Sequence, residues 1–329
     1  MEYRKFGTTG LTVSTVGFGA WAIGGPATAG GIAIGWGETD DAVSFRALER
    51  ARGCGVTFFD TSDFYGLGHS EELIGKAFGN APDLVIATKV GQRLDSDGGI
   101  VSDYSISHLT RACEESLRRL RRETIDLYQL HTARLRHLEE GACVEAMERL
   151  REAGKIRAWG LSLNTFTPAP EAEYMISRRI GNGFQLALNI INQRALPVIR
   201  QAAEAGYGII VRMPFQFGLL TGAMTEKTTF SAGDHRSYRL TPEVLKAAMG
   251  PVQEIGAIAA RLGMATATLA LSYCVSYPGV STVIPGIRTP AQAEADTAVN
   301  PMSGATQARL EEMYSARLRQ LLEQMEKNG

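Results

Sequence analysis

Four ionisable side chains stand at or just beyond the ends of short apolar runs. Asp60 closes VTFFD, Lys89 closes LVIATK and His131 closes IDLYQLH, while Tyr65 follows Asp60 in TSDFYG. If these runs are neighbouring parallel strands, their carboxyl ends share one rim, so the four groups can meet although they lie far apart in sequence. A carboxylate, a phenol, an ammonium and an imidazole at one rim indicate an active site that polarises and protonates a carbonyl oxygen.

Tyr65 is the expected proton donor of this set. A free tyrosine has a pKa near 10, and a buried ammonium beside it would lower that pKa by stabilising the phenolate. Lys89 would supply the ammonium, Asp60 would keep it charged and oriented, and His131 would hydrogen-bond the substrate oxygen. None of these side chains can donate a hydride, so a bound nicotinamide is expected to supply it.

Each of the four residues also has a structural explanation. An aspartate at a strand end is commonly a cap, a tyrosine before glycine is commonly a turn residue, and a histidine at a rim is commonly a satisfied polar group. The expectation of an active site therefore rests on all four emerging at one predicted rim in complementary chemical types.

The elements that would position these residues alternate between strand and helix. Eight segments have the character of short buried strands: residues 15–19, 56–60, 84–89, 125–131, 156–162, 184–189, 208–214 and 281–286. Amphipathic helical stretches lie between them, including residues 41–52, 107–122, 140–153 and 196–205. This alternation predicts an α/β fold, a closed (β/α)8 TIM barrel, with a small β-hairpin cap before residue 15. No linker divides the sequence, which predicts one domain over residues 1–329.

Three predicted loops are longer than a barrel connection requires. They are Trp21 to Thr39, Gly91 to Ser105 and Phe215 to Thr241. All three would project from the carboxyl ends of strands, where barrel enzymes bind ligands, so we expect them to wall the substrate and cofactor sites. The alternative is that they are surface insertions.

Composition narrows the functional class. The formal net charge of -1 gives no positive field for nucleic acid, and the basic run at residues 118–122 falls in the last turn of a predicted helix. No apolar run is long enough to span a membrane, and the N-terminus has no signal-peptide core. The four cysteines are scattered and form no metal-binding pattern. These features predict a cytoplasmic protein with reduced thiols, no bound metal, and no nucleic-acid or membrane partner.

Six segments carry a more specific signal: FFDTSDFYGLGHSEELIGKAF, LVIATKVG, DLYQLH, KIRAWGLS, LLTG and STVIPGIRTP. In this order and spacing they resemble the aldo-keto reductase superfamily, and the match spans nearly the whole chain. The resemblance implies a (β/α)8 barrel that binds NADP(H) without a Rossmann domain. It also implies a catalytic tetrad at Asp60, Tyr65, Lys89 and His131.

The resemblance further implies which residues bind the nicotinamide. Ser162 and Gln185 match positions that hydrogen-bond the carboxamide, and Arg212 matches a position that stacks on the ring. Asn164 is also a candidate, although Leu163 places it one residue later than in the family's GVSN pattern.

The phosphate groups of the cofactor have candidate residues on the same basis. Backbone amides for the pyrophosphate would come from residues 215–219, namely Phe215, Phe217, Gly218 and Leu219. Residues from Gly286 to Gln292 would surround the adenosine 2′-phosphate, and Arg288 would pair with it because a guanidinium binds phosphate oxygens bidentately. Gln292 and Asp296 stand where other branches have Arg and Asn.

Four residues are candidates for the substrate wall: Trp21, Trp36, Asp63 and Phe64. Aromatic rings beside a polar rim suit a small carbonyl compound or a sugar. Trp36 and Asp63 have an equally good structural explanation, because a tryptophan in a glycine-rich loop can simply anchor it.

One motif in the sequence points to a different fold. Residues 17–22 fit the dinucleotide-binding pattern G-x-G-x-x-A, and Asp40 lies near the distance expected for a ribose-binding acid. The motif leads into Gly24, Gly25 and Pro26, where no helix can open onto a pyrophosphate, so we exclude this interpretation.

The sequence therefore predicts an NADP(H)-dependent reductase of aldehydes or ketones with Tyr65 as general acid. One alternative is an aldose or deoxysugar dehydrogenase running the reverse reaction. A second is a cofactor-binding regulatory subunit similar to potassium channel β subunits, against which the four tetrad residue types argue. The substrate, the direction and the oligomeric state stay open, and the helical stretch from Thr306 to Lys327 could pack on the barrel or join subunits.

Overall fold

A computed structural model describes residues 1–231 and 234–327. Its strands are β1 Tyr3–Lys5, β2 Thr12–Ser14, β3 Phe18–Gly19, β4 Thr28–Ala29, β5 Ile32–Ala33, β6 Phe58–Asp60, β7 Val85–Val90, β8 Gln92–Leu94, β9 Ile100–Ser102, β10 Ile125–His131, β11 Ile156–Ser162, β12 Gly183–Ala187, β13 Gly208–Arg212 and β14 Thr282–Ile284. Eight of them form a parallel sheet in the order β14-β13-β12-β11-β10-β7-β6-β3. Each of these eight lies within or overlaps one of the predicted strand segments, so the strand prediction is confirmed.

The sheet closes into a barrel because its first and last strands also meet. Parallel bridges join Val16 to Val283 and Gly19 to Gly286. A side chain at Gly19 would bring its Cβ within 2.8 Å of the Pro285 carbonyl oxygen, so glycine is needed at this seam. The predicted (β/α)8 barrel is confirmed.

Helices cover the outside of the barrel. They are α1 Asp41–Gly53, α2 His69–Phe78, α3 Ile106–Leu120, α4 Leu135–Glu140, α5 Ala142–Glu152, α6 Ala169–Arg178, α7 Leu196–Glu204, α8 Arg236–Arg239, α9 Pro242–Arg261, α10 Thr266–Val275, α11 Pro290–Thr297, α12 Gly304–Met313 and α13 Arg319–Glu326. Their apolar faces and the outward side chains of the strands form one large buried cluster. The apolar stripe of each helix explains this arrangement, since it must be buried against the sheet.

The predicted N-terminal hairpin is also confirmed. Strands β1 and β2 pair antiparallel, with Tyr3 opposite Ser14. Phe6 and Leu11 in the connecting turn and Val13 in β2 belong to the same buried cluster as inward-facing barrel residues such as Phe58. The Phe6 and Phe58 rings stack with centroids 6.4 Å apart. The hairpin thus fills the amino-terminal end of the barrel.

The three long loops rise from the opposite end, after β3, β7 and β13. The loop at 21–39 contains the β4–β5 hairpin, and the loop at 91–105 contains the β8–β9 hairpin. Their tips touch, because the Gly30 amide donates to the Gly98 carbonyl at 2.6 Å. The third loop, 215–241, contains α8 and includes residues 232 and 233, which lie outside the described residues. Instead of a Rossmann helix, a four-residue 3-10 turn at Ala20–Ile23 follows β3.

The C-terminal helices pack on the barrel, which is one of the two predicted alternatives. Leu310, Leu318 and Leu322 are buried in the main core. Arg194 Nη1 lies 2.7 Å from Glu326 Oε2, which ties α13 to the region before α7.

No single helix among residues 1–231 and 234–327 is long and apolar enough to cross a membrane. Within the same ranges, one pair of helices, α9 and α10, meets the length and composition when taken together, but the pair is bent by 85°.

Candidate active site

The structure brings Asp60, Tyr65 and Lys89 into direct contact. Lys89 Nζ donates to Asp60 Oδ2 at 2.6 Å, to the Thr61 carbonyl at 2.8 Å and to the Tyr65 hydroxyl at 3.1 Å. Lys89 and Asp60 are 0% and 1% exposed, so this ion pair is shielded from solvent. The contact follows from strand order, because β6 and β7 are parallel neighbours whose carboxyl ends lie at the same rim.

Asp60 is held by its second carboxylate oxygen as well. Asp60 Oδ1 accepts from Gln185 Nε2 at 2.7 Å and from Gln129 Nε2 at 3.1 Å. Both amides come from neighbouring parts of the barrel interior, and both residues are buried. Together with Lys89, these amides give the Asp60 carboxylate three hydrogen-bond donors, which fix its orientation towards the ammonium.

Lys89 is protonated in this environment. Burial works to lower the pKa of Lys89, but the charge of Asp60 and the Tyr65 phenol act more strongly together, so the pKa is raised above its usual value. A fixed positive charge therefore lies against the Tyr65 hydroxyl.

For Tyr65 the Lys89 ammonium acts to lower the pKa, as the sequence predicts, but it is not the largest effect on this group. Burial raises the pKa of Tyr65 above its usual value, although the Lys89 ammonium acts in the opposite direction. The reason is that removing the phenolate from water costs more free energy than its attraction to one neighbouring ammonium recovers. Tyr65 is a neutral phenol that has a cation ready beside it for the moment it loses its proton.

The turn after Tyr65 fixes its direction. Gly66, Leu67 and Gly68 have positive φ angles of 59°, 53° and 101°. A Cβ at Gly66 would overlap the Gly24 carbonyl oxygen, so this position requires glycine both for its φ and for the close approach of the two loops.

His131 completes the cluster without bonding to the other three members. Its ring lies perpendicular to the Tyr65 ring with centroids 6.1 Å apart, and its Nδ1 is 3.4 Å from Ser62 Oγ. Burial, followed by the charges of Lys89 and Arg212, holds the pKa of His131 well below its usual value. The imidazole is therefore neutral near pH 7 and can act as a hydrogen-bonding group.

The candidate nicotinamide residues surround this cluster. Ser162 is the strand neighbour of both His131 and Gln185, so the three side chains belong to one level of the barrel. Gln185 Oε1 is buried and has no hydrogen-bond partner among residues 1–231 and 234–327. An unpaired amide oxygen at this level fits the amide donor of a nicotinamide carboxamide, so Ser162 and Gln185 are suited to hold that group.

Asn164 and Arg212 have local partners. Asn164 Oδ1 accepts from the amides of Phe166 and Thr167, both at 2.9 Å, and so shapes the loop after β11. Arg212 Nη2 donates to the Leu163 carbonyl and to Thr165 Oγ1, each at 3.0 Å. The guanidinium of Arg212 is thereby fixed in the wall of the site, with its charge close to Tyr65.

Residues 215–219 form an irregular turn with consecutive left-handed residues. Gln216, Phe217 and Gly218 have φ angles of 45°, 58° and 97°. Successive residues of this kind gather backbone amides into a concave surface that suits an anion. Phe215 and Leu219, at either end of the turn, pack into the main core.

The remaining cofactor candidates lie around α11. Gly286 bridges Gly19 at the barrel seam, and Arg288 Nη2 donates to the Glu38 carbonyl at 2.6 Å. Gln292 caps α11 together with Thr289, so its side chain has a structural task at this position. Asp296 is buried near the end of the same helix.

Two of the substrate-wall candidates meet above Tyr65. The Trp21 ring stacks on Tyr65 with centroids 5.9 Å apart and meets Trp36 edge-on at 5.4 Å. Ser62 Oγ donates a hydrogen bond to Asp63 Oδ1 at 3.2 Å. The charges of Glu71 and Arg119, on the helices behind the rim, act on the Asp63 carboxyl group. Phe64, next to it, is half-buried.

Comparison with known proteins identifies the family. The model of the aldo/keto reductase family matches residues 15–315. The chain belongs to this family. It is 32% identical over 311 residues to the aldo-keto reductase YhdN of Bacillus subtilis, covering 90% of this chain and 87% of that protein.

Two further similarities concern enzymes that act on polyols or sugars. L-galactose dehydrogenase of Arabidopsis thaliana is 28% identical, with 91% of this chain and 88% of that protein covered. The solved structure of the glycerol dehydrogenase AKR11B4 from Gluconobacter oxydans superimposes with a TM-score of 0.81 at 26% identity, covering 96% of this chain and 95% of that one. This aldo/keto reductase is accordingly an oxidoreductase.

Sequence reasoning missed two residues of this aldo/keto reductase site. Gln129 could have been found, because it lies two residues before His131 in one strand and so faces the same side of the sheet. No sequence pattern indicated His235, because it lies in the irregular loop 215–241. Its ring stacks on Trp21 with centroids 4.5 Å apart.

Proposed function

We propose that the protein catalyses NADP(H)-dependent reduction of an aldehyde or ketone, with Tyr65 as the general acid. The observation that carries the proposal is the fully buried Lys89 ammonium, placed 2.6 Å from Asp60 and 3.1 Å from the Tyr65 hydroxyl. An ion pair with a purely structural role does not need a phenol beside its ammonium. Proton transfer to a substrate does need such a proton donor.

The proton leaves Tyr65 as negative charge develops on the carbonyl oxygen. An alkoxide is more basic than a phenolate, so transfer is favourable even though burial raises the pKa of Tyr65. The phenolate left behind is stabilised by Lys89, whose charge Asp60, Gln129 and Gln185 maintain. A reduced nicotinamide, when bound, supplies the hydride to the carbonyl carbon.

His131 would orient the carbonyl. Its neutral ring lies across from Tyr65, so an oxygen between the two rings would receive hydrogen bonds from both sides. For the 2′-phosphate of NADP(H), Arg288 is our candidate, with residues 215–219 offering amides to the pyrophosphate.

The reverse reaction, oxidation of an alcohol, uses the same groups. Similarity to proteins named glycerol dehydrogenase and L-galactose dehydrogenase supports testing that direction too. A regulatory subunit is the less favoured alternative, because a binding protein has no need of a phenol held against a buried ammonium.

Tyr65→Phe tests the proposal. Removing only the hydroxyl should lower kcat for reduction of a broad set of aldehydes by about 10²- to 10⁴-fold, as loss of a general acid does. NADPH affinity, measured by fluorescence titration, should change little because Tyr65 donates its proton to the substrate.

Tyr174→Phe is the matched control. The Tyr174 hydroxyl donates to the Leu138 carbonyl at 3.4 Å on the outside of the barrel, so its loss should leave kcat unchanged. Turnover by the Tyr65 variant equal to that of the native protein would refute the assignment.

A further inference from the structure

Arg212 is a half-buried guanidinium in the candidate active site with no carboxylate beside it. Its Nη2 donates to the Leu163 carbonyl and to Thr165 Oγ1, each at 3.0 Å, and its Nη1 lies 2.8 Å from Met213 Sδ. All three partners are uncharged. Across residues 1–231 and 234–327, no ion pair includes Arg212.

Other largely buried guanidinium groups are paired differently. Arg119 Nε lies 2.6 Å from Glu71 Oε2, and Arg122 Nη1 lies 2.8 Å from Asp126 Oδ2. A charge removed from water is normally stabilised by an opposite charge in this way. Burial lowers the pKa of Arg212, but a guanidinium still keeps its proton near neutral pH. Arg212 therefore carries a positive charge without a carboxylate of its own.

The other ionisable groups of the site do not compensate this charge. Asp60 lies 2.6 Å from Lys89, so these two charges cancel. Burial raises the pKa of Tyr65 and lowers the pKa of His131, so the phenol and the imidazole are both neutral. The charge of Arg212 acts on both of these rings. The five groups together carry one net positive charge.

The Arg212 guanidinium lies beside the residues suited to hold the nicotinamide carboxamide. Arg212 ends β13, and Leu163, whose carbonyl accepts from it, directly follows Ser162 at the end of β11. Strand β12, which carries Gln185, lies between β11 and β13 in the sheet. The guanidinium therefore crosses the end of β12, next to Ser162 and Gln185.

We propose that Arg212 is a specificity-determining residue that makes the site bind the reduced nicotinamide in preference to the oxidised one. The proposal rests on the function given above and names the direction that cofactor binding favours. A reduced nicotinamide ring is neutral, whereas loss of a hydride leaves the ring with a positive charge. An uncompensated cation beside the ring repels that charge, and a buried site strengthens the repulsion. NADP⁺ formed by carbonyl reduction would leave readily, and NADP⁺ offered for alcohol oxidation would bind weakly.

The test measures the dissociation constants of NADPH and NADP⁺ separately, by isothermal titration calorimetry of the full chain at pH 7. For the native protein, the Kd of NADP⁺ should exceed that of NADPH about 5- to 50-fold, as expected for repulsion between two partly screened unit charges. In Arg212→Gln, which keeps a polar side chain and loses the charge, this ratio should fall towards equal binding. Every tenfold change in the ratio corresponds to about 30 mV in the reduction potential of the bound cofactor.

Two further variants separate charge from shape. Arg212→Lys keeps the positive charge without the planar guanidinium, so it should keep most of the native ratio even where both affinities fall. Arg149→Gln removes an exposed guanidinium that pairs with Glu145 on α5, outside the barrel, and should leave the ratio unchanged.

Each outcome has one meaning. A native protein that binds NADPH and NADP⁺ equally, or an Arg212→Gln variant with the native ratio, overturns the role of Arg212 while leaving carbonyl reduction intact. The role is also overturned if Arg212→Lys loses the preference as fully as Arg212→Gln, because shape rather than charge would then discriminate. If the native protein binds neither cofactor, the proposed function fails first and the inference falls with it.

Discussion

Asp296 lies one residue before the end of α11, and it is 8% exposed. Burial raises the pKa of its carboxyl group to about 7. The carbonyl end of a helix is also an unfavourable place for a negative charge. Near neutral pH this side chain is therefore about half protonated in the folded protein.

The raised pKa makes stability depend on pH. An unfolded aspartate ionises near pH 4, so the folded state is favoured by protonated Asp296 at low pH and loses that advantage as pH rises towards 7. Asp296→Asn cannot ionise and should stabilise the protein more at pH 8 than at pH 5, by about 2 kcal/mol. Urea unfolding at the two pH values measures the difference, and an identical gain at both would contradict the shift.

How far single residues could be predicted depends on whether they lie in regular elements. The tetrad was predictable, because strand ends mark a common rim. The direction in which the pKa of Tyr65 shifts was not predictable, because it depends on how deeply the packed site buries the phenol. His235 and the Arg288–Glu38 contact join separate loops, and no local pattern encodes such contacts.

At the level of elements, α2 and α3 cross in close contact behind the site. A Cβ at Gly75 would overlap the Arg119 carbonyl oxygen, so this glycine sets the distance between the helices. At the same crossing, buried Glu71 accepts from Arg119 Nε at 2.6 Å and from Thr88 Oγ1 at 2.5 Å. Glu71 thus links α2 to α3 and to strand β7, which also carries Lys89.

Gly75→Ala should therefore be destabilising although alanine favours helices. Overpacking of a tight contact costs about 1–3 kcal/mol, which would lower the midpoint of thermal unfolding by several degrees. Gly256→Ala in α9 is the control, because its Cβ would lie 3.5 Å from Thr266 Oγ1, an ordinary contact. There the better helix propensity should leave stability equal or slightly higher. A Gly75 variant as stable as the Gly256 variant would show that the helices can separate freely.

The eight barrel strands were predictable because their apolar, β-branched residues form runs of recognisable length. The β4–β5 and β8–β9 hairpins were not. Their strands have only two or three residues and lie in glycine-rich or polar sequence, so they give no alternating pattern.

Across the whole molecule, the N-terminal hairpin and the long loops occupy opposite ends of the barrel. Phe6 is completely buried at the lower end, and a Cβ at Gly208 would lie within 2.5 Å of its ring. The barrel strand has glycine there to make room for Phe6, so the hairpin is part of the core.

Phe6→Ala should leave a cavity and lower the free energy of unfolding by about 3–5 kcal/mol. Chemical denaturation measures this loss. Thr12→Ala, at an exposed position of the same hairpin, should cost less than about 1 kcal/mol. A Phe6 variant with native stability would mean that the barrel is held together without its cap.

The filled lower end also has a kinetic consequence. If two reactants bind at the tetrad from the loop end of the barrel, the one nearer the barrel interior would have to bind first, because the outer one would cover its path. The two molecules would then leave in the opposite order, so we expect ordered kinetics in which the outer product dissociates before the inner one.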